Sequence, residues 1–268
     1  MRLPEEIQAY YLQGDEAQRL QSPKGKLEFA RSCQLLTRGL PPAPAQIADI
    51  GGGPGIYTEW LAMQGYVVTL LDPLPLHIEQ AQTRLAAYAD CHAVLGDALA
   101  PELETASQDA VLLMGPLYHL LSPGDRHQAL QQAWRVLRPG GILFATAISR
   151  FAYVLDGLWK RHFDDPDFVD SVRAGLENGK HLNPVGKNYF TSAYFHRPQE
   201  LQAALRAAGF VQAEVVGIEG PAGLMPNLAE VQARDFAWPL LEIVEALERE
   251  PEMMGISTHL MATGFRPA

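Results

Sequence analysis

The sequence has little cysteine: Cys33 and Cys91 are the only two in 268 residues. Two cysteines cannot make the disulfide framework of a small secreted protein, nor a cage of thiolates around a metal ion. We therefore expect a reduced, cytoplasmic protein.

Basic residues and long apolar runs are also scarce. The 21 Lys and Arg residues are outnumbered by 31 Asp and Glu residues, which gives a formal net charge of −10. Such an acidic chain repels phosphate backbones, so we expect no nucleic-acid partner. The longest apolar run covers only residues 110–114, whereas a membrane span needs about 20 residues. The first residues lack the basic and apolar regions of a signal peptide. We expect no membrane partner, and a monomer or a homodimer.

Apolar segments alternate with helical patterns in the first half of the chain. The alternation predicts strands at residues 47–50, 66–71, 93–95, 110–114 and 142–148, and helices at residues 57–63, 76–88 and 125–137. Repeated strand–helix units build a parallel sheet with helices on both faces. The sequence therefore predicts an α/β fold.

The flanking segments have a different character. Residues 5–38 show an interrupted helical period, and residues 150–196 are rich in aromatic and turn-forming residues without a strand period. A helix at 198–208, a helical stretch at 228–250 and strands at 210–218 and 257–265 are predicted after them. We predict one domain, 1–268, with N-terminal helices in 1–44, a core in 45–149 and 197–268, and a helical cap in 150–196 over the substrate pocket.

Closely spaced glycines follow the first predicted strand. Gly51, Gly53 and Gly55 would let the chain turn sharply and would bring bare backbone close to a ligand at the carboxyl edge of the sheet. A dinucleotide fingerprint needs its third glycine where Ile56 stands, and the Lys-Ser/Thr pair of a phosphate-binding loop is absent. The spacing favours a ligand that carries adenosine without phosphates. The alternative is a tight turn that binds nothing.

Two aspartates follow at the same predicted edge. Asp72 ends the second strand about 20 residues after the first glycine, where its carboxylate could accept hydrogen bonds from both ribose hydroxyls. Asp97 follows the third strand and could accept from an exocyclic amine, while Ala98 offers a backbone N–H. A surface aspartate and ordinary turn chemistry are the alternatives.

Together these motifs resemble those of the class I S-adenosylmethionine-dependent methyltransferases. The motifs are Asp49-x-Gly51-x-Gly53-x-Gly55, Asp72, Gly96-Asp97-Ala98 and Leu137-Arg138-Pro139-Gly140-Gly141, and they agree in spacing and order over roughly residues 45–150. Two more motifs are similar to those of a bacterial branch that methylates small molecules: Met114-Gly115-Pro116-Leu117-Tyr118-His119-Leu120 and Ala193-Tyr194-Phe195-His196-Arg197-Pro198.

The resemblance implies a Rossmann-like, doubly wound seven-stranded sheet of order 3-2-1-4-5-7-6 with an antiparallel last strand. It also implies S-adenosyl-L-methionine as cofactor, S-adenosyl-L-homocysteine as product and a small molecule as acceptor. In such a fold the loop of residues 51–55 would pack against the methionine moiety, Asp72 would hold the ribose and Asp97 would read the adenine.

Candidate site residues follow from these motifs and from polar side chains near them. We predict that the cofactor is bound by Tyr11, Arg31, Gly51, Gly52, Gly53, Asp72, Pro73, Asp97, Ala98, Met114 and Gly115. We predict that the substrate is contacted by Tyr118, His181, Asn183, Tyr189, Tyr194 and His196.

Three of these predictions have an alternative, and so does the candidate catalytic residue. Tyr11 could cover the cofactor or pack within the first helix. Arg31 could pair with the methionyl carboxylate or be a solvated surface arginine. The substrate histidines could make structural hydrogen bonds only. His119 is the candidate catalytic residue, as a base or as a group that orients the substrate, because neutral imidazole accepts a proton near pH 7. The alternative for His119 is a hydrogen-bonded wall residue.

The leading hypothesis is in-line transfer of a methyl group to an O or N atom of a small molecule. Alternatives are a methyltransferase of a peptide or protein side chain, and a non-catalytic module that binds S-adenosylmethionine. A nicotinamide-dependent oxidoreductase is opposed by the position of Gly55. We predict no metal site, because His181 and His196 have no supporting acid or cysteine at ligand spacing.

Overall fold

A seven-stranded sheet forms the centre of the protein. The computed structural model describes residues 5–13, 16–183, 187, 189–233 and 237–268. The strands are β1 (Gln46–Ile50), β2 (Val67–Asp72), β3 (Cys91–Leu95), β4 (Gln108–Leu113), β5 (Leu137–Ile148), β6 (Val211–Gly217) and β7 (His259–Phe265). Their spatial order is β3-β2-β1-β4-β5-β7-β6, and β7 is antiparallel to both β5 and β6. The predicted strand order and the antiparallel last strand are confirmed.

Helices connect the strands and cover both faces of the sheet. They are α1 (Glu5–Gln13), α2 (Glu16–Arg19), α3 (Pro23–Gly39), α4 (Ile56–Ala62), α5 (Pro75–Leu85), α6 (Pro116–His119), α7 (Pro123–Val136), α8 (Ala152–Lys160), α9 (Pro166–Asn178), α10 (Pro198–Ala207), α11 (Leu228–Gln232), α12 (Ala237–Leu247) and α13 (Pro251–Met254). In the described part of the chain, no helix is long and apolar enough to span a bilayer.

Alternate side chains of each strand enter two apolar layers. In β1, Ile47 packs in the layer formed with α3, α4 and α5, whereas Ala48 and Ile50 pack in the layer formed with α7 and α10. A strand covered on both faces reads as a nearly continuous apolar run, which explains why these strands were predictable from sequence. The core thereby fixes the carboxyl ends of β1 to β4 along one edge.

The late helical stretch is divided. A helical stretch was expected over 228–250, and the structure has the helices α11 and α12 within it. Pro239 lies in the first turn of α12. Proline lacks the N–H that a helix interior requires, so it is tolerated best in the first turn of a helix.

The segment 150–196 has its own small apolar core. Tyr153, Phe168 and Phe195 pack together between α8, α9 and the strand that follows. The segment contains the helices α8 and α9, and it also contains two short antiparallel strands, Lys180–His181 and Ala193–Tyr194, which pair with each other. Strands of two residues are too short to produce an alternating pattern in the sequence.

The N-terminal helix is held against this segment. The backbone N–H of Ser192 donates to Glu6 Oε1 at 3.1 Å, and the Ser192 hydroxyl donates to Glu6 Oε2 at 2.8 Å. The rings of Tyr10 and Phe190 pack edge to face with centroids 5.8 Å apart. These contacts place α1 beside the carboxyl edge of the sheet.

Candidate functional site

A cavity of about 360 Å³ lies at the carboxyl edge of the sheet. Its wall is built from the loop after β1, the end of β2, the segments that follow β3 and β4, and side chains from α1 to α3. Most of the predicted cofactor residues line it: Tyr11, Gly51, Gly52, Gly53, Asp72, Pro73, Asp97, Ala98, Met114 and Gly115. Tyr118 and His119 line it as well. Residues distant in sequence are thus brought together around one space.

The glycine loop exposes bare backbone to this cavity. Gly51 and Gly53 have φ angles of 77° and 56°, in the left-handed region that side chains disfavour. A Cβ on Gly51 would lie 2.6 Å from Pro116 Cγ, so the loop and the segment after β4 approach too closely for a side chain. A Cβ on Gly53 would meet nothing nearer than His77 Nδ1 at 3.9 Å, which leaves the space above that residue open.

Asp49 supports the loop from below. Its carboxylate is buried and accepts a hydrogen bond from the Thr58 hydroxyl at 2.7 Å. Burial raises the pKa of Asp49 to about 6, because a charge is costly away from water. A Cβ on Gly52 would lie 2.6 Å from Asp49 Oδ2, so only glycine fits above this carboxylate.

Asp72 ties the loop to the second strand. Its Oδ2 accepts the Gly53 N–H at 3.0 Å, and its Oδ1 accepts the Leu74 N–H at 2.9 Å. His77 Nδ1 lies 3.0 Å from Oδ1. A carboxylate offers about four acceptor sites, so these contacts leave one, on Oδ2. The side chain is nearly buried, yet it lines the cavity.

Asp97 occupies the turn after β3. Its Oδ1 accepts the Leu99 N–H at 2.6 Å, while the Gly96 N–H donates to the Asp72 carbonyl oxygen at 3.1 Å. The turn chemistry considered as an alternative is therefore present. It coexists with the position of Asp97 on the cavity wall.

His119 is paired with Tyr11 across the cavity. Tyr11 Oη lies 2.6 Å from His119 Nε2. Burial lowers the pKa of His119 to about 3 and raises the pKa of Tyr11 well above its usual range, so both side chains are neutral near pH 7. His119 Nδ1 is buried and has no hydrogen-bond partner within the described residues.

Arg31 does not reach the cavity, and the expectation that it binds the cofactor needs correction. Its guanidinium is fully buried, lies 2.5 Å from Glu248 Oε2, and donates to the Ile218 carbonyl oxygen at 3.2 Å. Arg31 therefore neither lines the cavity, where it could pair with a methionyl carboxylate, nor is a solvated surface arginine. It forms a buried ion pair between α3 and Glu248, the residue that follows α12.

Most of the predicted substrate residues pack inside the segment 150–196 or against its neighbours. Of that set, only Tyr118 lines the cavity. His181 contacts Ser171 Oγ and the Phe190 carbonyl oxygen, both at 2.8 Å, and Asn183 donates to the Lys187 carbonyl oxygen.

The predicted substrate residues Tyr189, Tyr194 and His196 lie in the same region. Tyr189 donates to Asp165 at 2.7 Å, and His196 packs against the Tyr194 ring, which is covered by the Arg126 guanidinium. Within the described residues, nothing from 150–196 lines the cavity. The segment acts on the cavity indirectly, since Tyr118 packs against its apolar core and α1 is bonded to it.

Charged residues that the motifs did not indicate also line the cavity. They are Glu16, Arg19, Glu28 and His259. Arg19 donates to both oxygens of Glu28 at 2.5 and 3.0 Å, and His259 Nδ1 lies 2.5 Å from Glu219 Oε1. These residues come from separate elements, so no local spacing in the sequence could have revealed them.

Three of these groups are close enough to converge on a cation. The ligand atoms of Glu28, Glu219 and His259 lie within 4.8 Å of one another. However, Arg19 already neutralises Glu28, and the imidazole of His259 already pairs with Glu219. The arrangement is that of an ion-pair network.

Comparison with known proteins gives similarities in sequence and in structure. A family model described as a methyltransferase domain matches residues 47–141. The ubiquinone biosynthesis O-methyltransferase of Methylobacterium nodulans is 28% identical over 186 residues, which cover 68% of this chain and 66% of that protein. The match thus spans slightly less than two thirds of that relative.

Two solved structures are similar in fold. An S-adenosylmethionine-dependent methyltransferase from Methanosarcina mazei superposes with a TM-score of 0.59 at 18% identity, over 87% of this chain and 97% of its own. The methyltransferase in complex with the Trm112 methyltransferase activator of Haloferax volcanii gives a TM-score of 0.62 at 19% identity, over 99% and 98% of the two chains.

Proposed function

We propose that this chain, a member of the class I S-adenosylmethionine-dependent methyltransferases, transfers a methyl group to an oxygen or nitrogen atom of a small molecule. One observation carries the proposal. The cavity joins a bare glycine backbone, a carboxylate tied to that backbone and a second carboxylate on the neighbouring turn.

The cavity fits an adenosine ligand that lacks phosphates. The open space above Gly53 would accept a bulky group against the backbone. Among the described lining residues, the cation Arg19 is already paired with Glu28 and Glu16. The acids Asp72 and Asp97 stand where hydroxyls and amines would find acceptors. When bound, S-adenosylmethionine supplies an electrophilic methyl group on a positively charged sulfur.

The residues of the cavity divide the binding between them. Asp72 would accept one ribose hydroxyl at the free site of Oδ2, while its other bonds keep the loop in place. Asp97 and Ala98 would lie beside the adenine, and Gly51 to Gly53 with Met114 and Gly115 would contact the methionyl portion. Tyr11 would close the site from above, because α1 lies across it.

His119 would orient the acceptor. Tyr11 Oη lies 2.6 Å from His119 Nε2 and both side chains line the cavity, so this pair would hold the acceptor hydroxyl, whereas the buried Nδ1 is out of its reach. A group with a pKa near 3 does not retain a proton at pH 7. His119 therefore aligns the attacking oxygen, and the proton passes on to water.

Two features support a small acceptor. Tyr11 and charged residues of α2 and α3 line the cavity, and we infer that they narrow the approach for a folded protein or peptide. The relative from Methylobacterium nodulans is named an O-methyltransferase, which favours oxygen over nitrogen as the methylated atom.

Calorimetric titration with S-adenosylhomocysteine and, separately, with NADH tests the cofactor. Binding of the first and not of the second is the expected result, and the reverse would overturn the proposal. Methyl transfer from tritiated S-adenosylmethionine to a panel of phenols, alcohols and amines then tests catalysis. Tight homocysteine-analogue binding without any product would favour the non-catalytic module.

A further inference from the structure

The charged network lies at the end of the cavity remote from the predicted adenine site. Asp97 follows β3, Gly51 follows β1, and His259 begins β7, which is three strands beyond β1 in the sheet. Neighbouring strands are about 4.8 Å apart, so His259 lies about 14 Å from β1 along the sheet edge. This is where an acceptor would enter if the proposed function holds.

Most polar atoms of the charged network form hydrogen bonds or ion pairs with other residues of the network. Glu219 Oε1 faces His259 Nδ1, and Glu219 Oε2 accepts from the Ser257 hydroxyl and from the His259 N–H, both at 2.9 Å. Glu28 is held by Arg19 on both oxygens, and Arg19 Nε donates to Glu16 at 2.6 Å. No hydrogen bond to His259 Nε2 is present among the described residues, and the side chain keeps 16% exposure on the cavity wall.

Two carboxylates keep the His259 ring charged. Nδ1 lies 2.5 Å from Glu219 and 3.8 Å from Glu28. Burial alone would lower the pKa of His259, but these carboxylates outweigh it and raise the pKa to about 9. Both ring nitrogens therefore carry protons at neutral pH. Because Nδ1–H is taken by Glu219, Nε2–H is the remaining ring donor of a residue that lines the cavity.

We propose that the His259–Glu219 pair is a second anchor for the acceptor, in which Nε2–H donates to an uncharged hydroxyl or carbonyl oxygen of the molecule to be methylated. This inference rests on the proposed function and names the acceptor class: a compound with a neutral oxygen in addition to the atom that receives the methyl group.

Charge decides between neutral and ionic acceptors. Three carboxylates, of Glu16, Glu28 and Glu219, surround the two cations Arg19 and His259. The network thus carries one net negative charge, which repels a carboxylate on the acceptor. A protonated amine is attracted by that net charge, but it has no lone pair with which to accept the Nε2–H of His259. A neutral oxygen meets neither penalty.

The test uses four probes that share one phenyl ring: benzyl alcohol, acetophenone, benzoate and benzylamine. Each is titrated by NMR into the enzyme saturated with S-adenosylhomocysteine at pH 7. We expect the alcohol and the ketone to bind at least tenfold tighter than benzoate and benzylamine. His259→Leu should weaken the alcohol and the ketone by about 10-fold or more, because a charged hydrogen bond is lost. His259→Gln, which keeps an N–H donor without charge, should fall between the two.

His92→Leu is the matched control, since His92 is exposed on β3 and does not line the cavity. An affinity for S-adenosylhomocysteine within twofold of the wild-type value shows that the His259 variants are folded. Equal binding of the alcohol to wild type and His259→Leu, a preference for benzoate, or no binding of any probe would overturn the inference. If the homocysteine analogue fails to bind wild type, the proposed function fails instead, and the probe preference is measured on the free enzyme.

Discussion

Replacing Asp72 by asparagine tests whether the hydrogen bonds accepted by this carboxylate hold the glycine loop, because the replacement leaves the packing of the side chain unchanged. The amide has the same shape as the carboxylate, but one of its two oxygens becomes an NH₂ donor. The native oxygens accept N–H groups from Gly53 at 3.0 Å and from Leu74 at 2.9 Å. Whichever way the amide turns, one backbone N–H therefore faces a donor and loses its partner.

The size of the effect follows from these contacts. An unsatisfied buried donor costs about 1–3 kcal/mol, and the charge-assisted bond to a ribose hydroxyl is lost as well. We expect Asp72→Asn to weaken S-adenosylhomocysteine binding by about 10- to 100-fold. The assay is calorimetric titration at pH 7, with thermal unfolding measured in parallel.

Asp109→Asn is the matched control for Asp72→Asn. Asp109 also accepts a backbone N–H, from Gln46 at 2.8 Å, and pairs with Arg138 at 2.6 Å. It lies near the start of β4, at the edge of the sheet opposite the cavity. Its replacement should lower stability while leaving cofactor affinity unchanged. Equal affinity of wild type and Asp72→Asn, or an equal loss in both variants, would refute the reasoning.

Three further changes have defined outcomes. Gly52→Ala places a methyl group 2.6 Å from Asp49 Oδ2 and should weaken S-adenosylhomocysteine binding by about tenfold, at a stability cost of about 1–3 kcal/mol measured by urea unfolding. Glu248→Gln leaves the buried Arg31 charge without its ion partner and should destabilise the fold by about 3–5 kcal/mol, with little change in cofactor affinity. The pKa of His259 is about 9 in the folded protein and about 6.5 in the unfolded protein. The charged ring therefore stabilises the fold by about 3 kcal/mol below pH 6.5, and this stabilisation is lost as the pH rises through 9. Urea unfolding of wild type and His259→Leu at a series of pH values measures the effect.

Each of these predictions has a contradictory result. Wild-type affinity in Gly52→Ala would mean that the loop does not hold the ligand. An unchanged unfolding midpoint for Glu248→Gln would show that Arg31 is solvated after all. Parallel pH profiles for wild type and His259→Leu between pH 6.5 and 9 would show that His259 is not charged in the folded protein.

The sequence revealed the glycine loop because its information is local. Gly51, Gly53 and Asp72 belong to one strand–helix–strand unit, so their spacing directly reflects the turn and the edge where they meet. The strand order was predicted through a family resemblance, since the pairing of β5 with β7 joins segments far apart in the chain.

The burial of Arg31 is indicated by a local pattern in the sequence. Leu27, Arg31 and Leu35 are spaced four residues apart in α3, so they share one helix face, and all three are buried. An arginine in an apolar stripe needs a buried carboxylate. That carboxylate, Glu248, comes from the other end of the chain and could not be identified from spacing.

The charged residues at the proposed acceptor end of the cavity could not be predicted from spacing in the sequence. Arg19, Glu28, Glu219 and His259 come from four separate segments, and only the folded sheet brings them together. The aromatic residues of 150–196 were expected in the cavity because large rings often line ligand sites. They pack on one another instead, since a segment of this size needs its own apolar core.

A crystal structure of the protein with S-adenosylhomocysteine tests the central claim most directly. We expect a ribose hydroxyl within hydrogen-bonding distance of Asp72 Oδ2, the adenine beside Asp97 and Ala98, and the sulfur near the loop of residues 51–53. A nucleoside bound in another cavity, with this loop free of ligand, would contradict it.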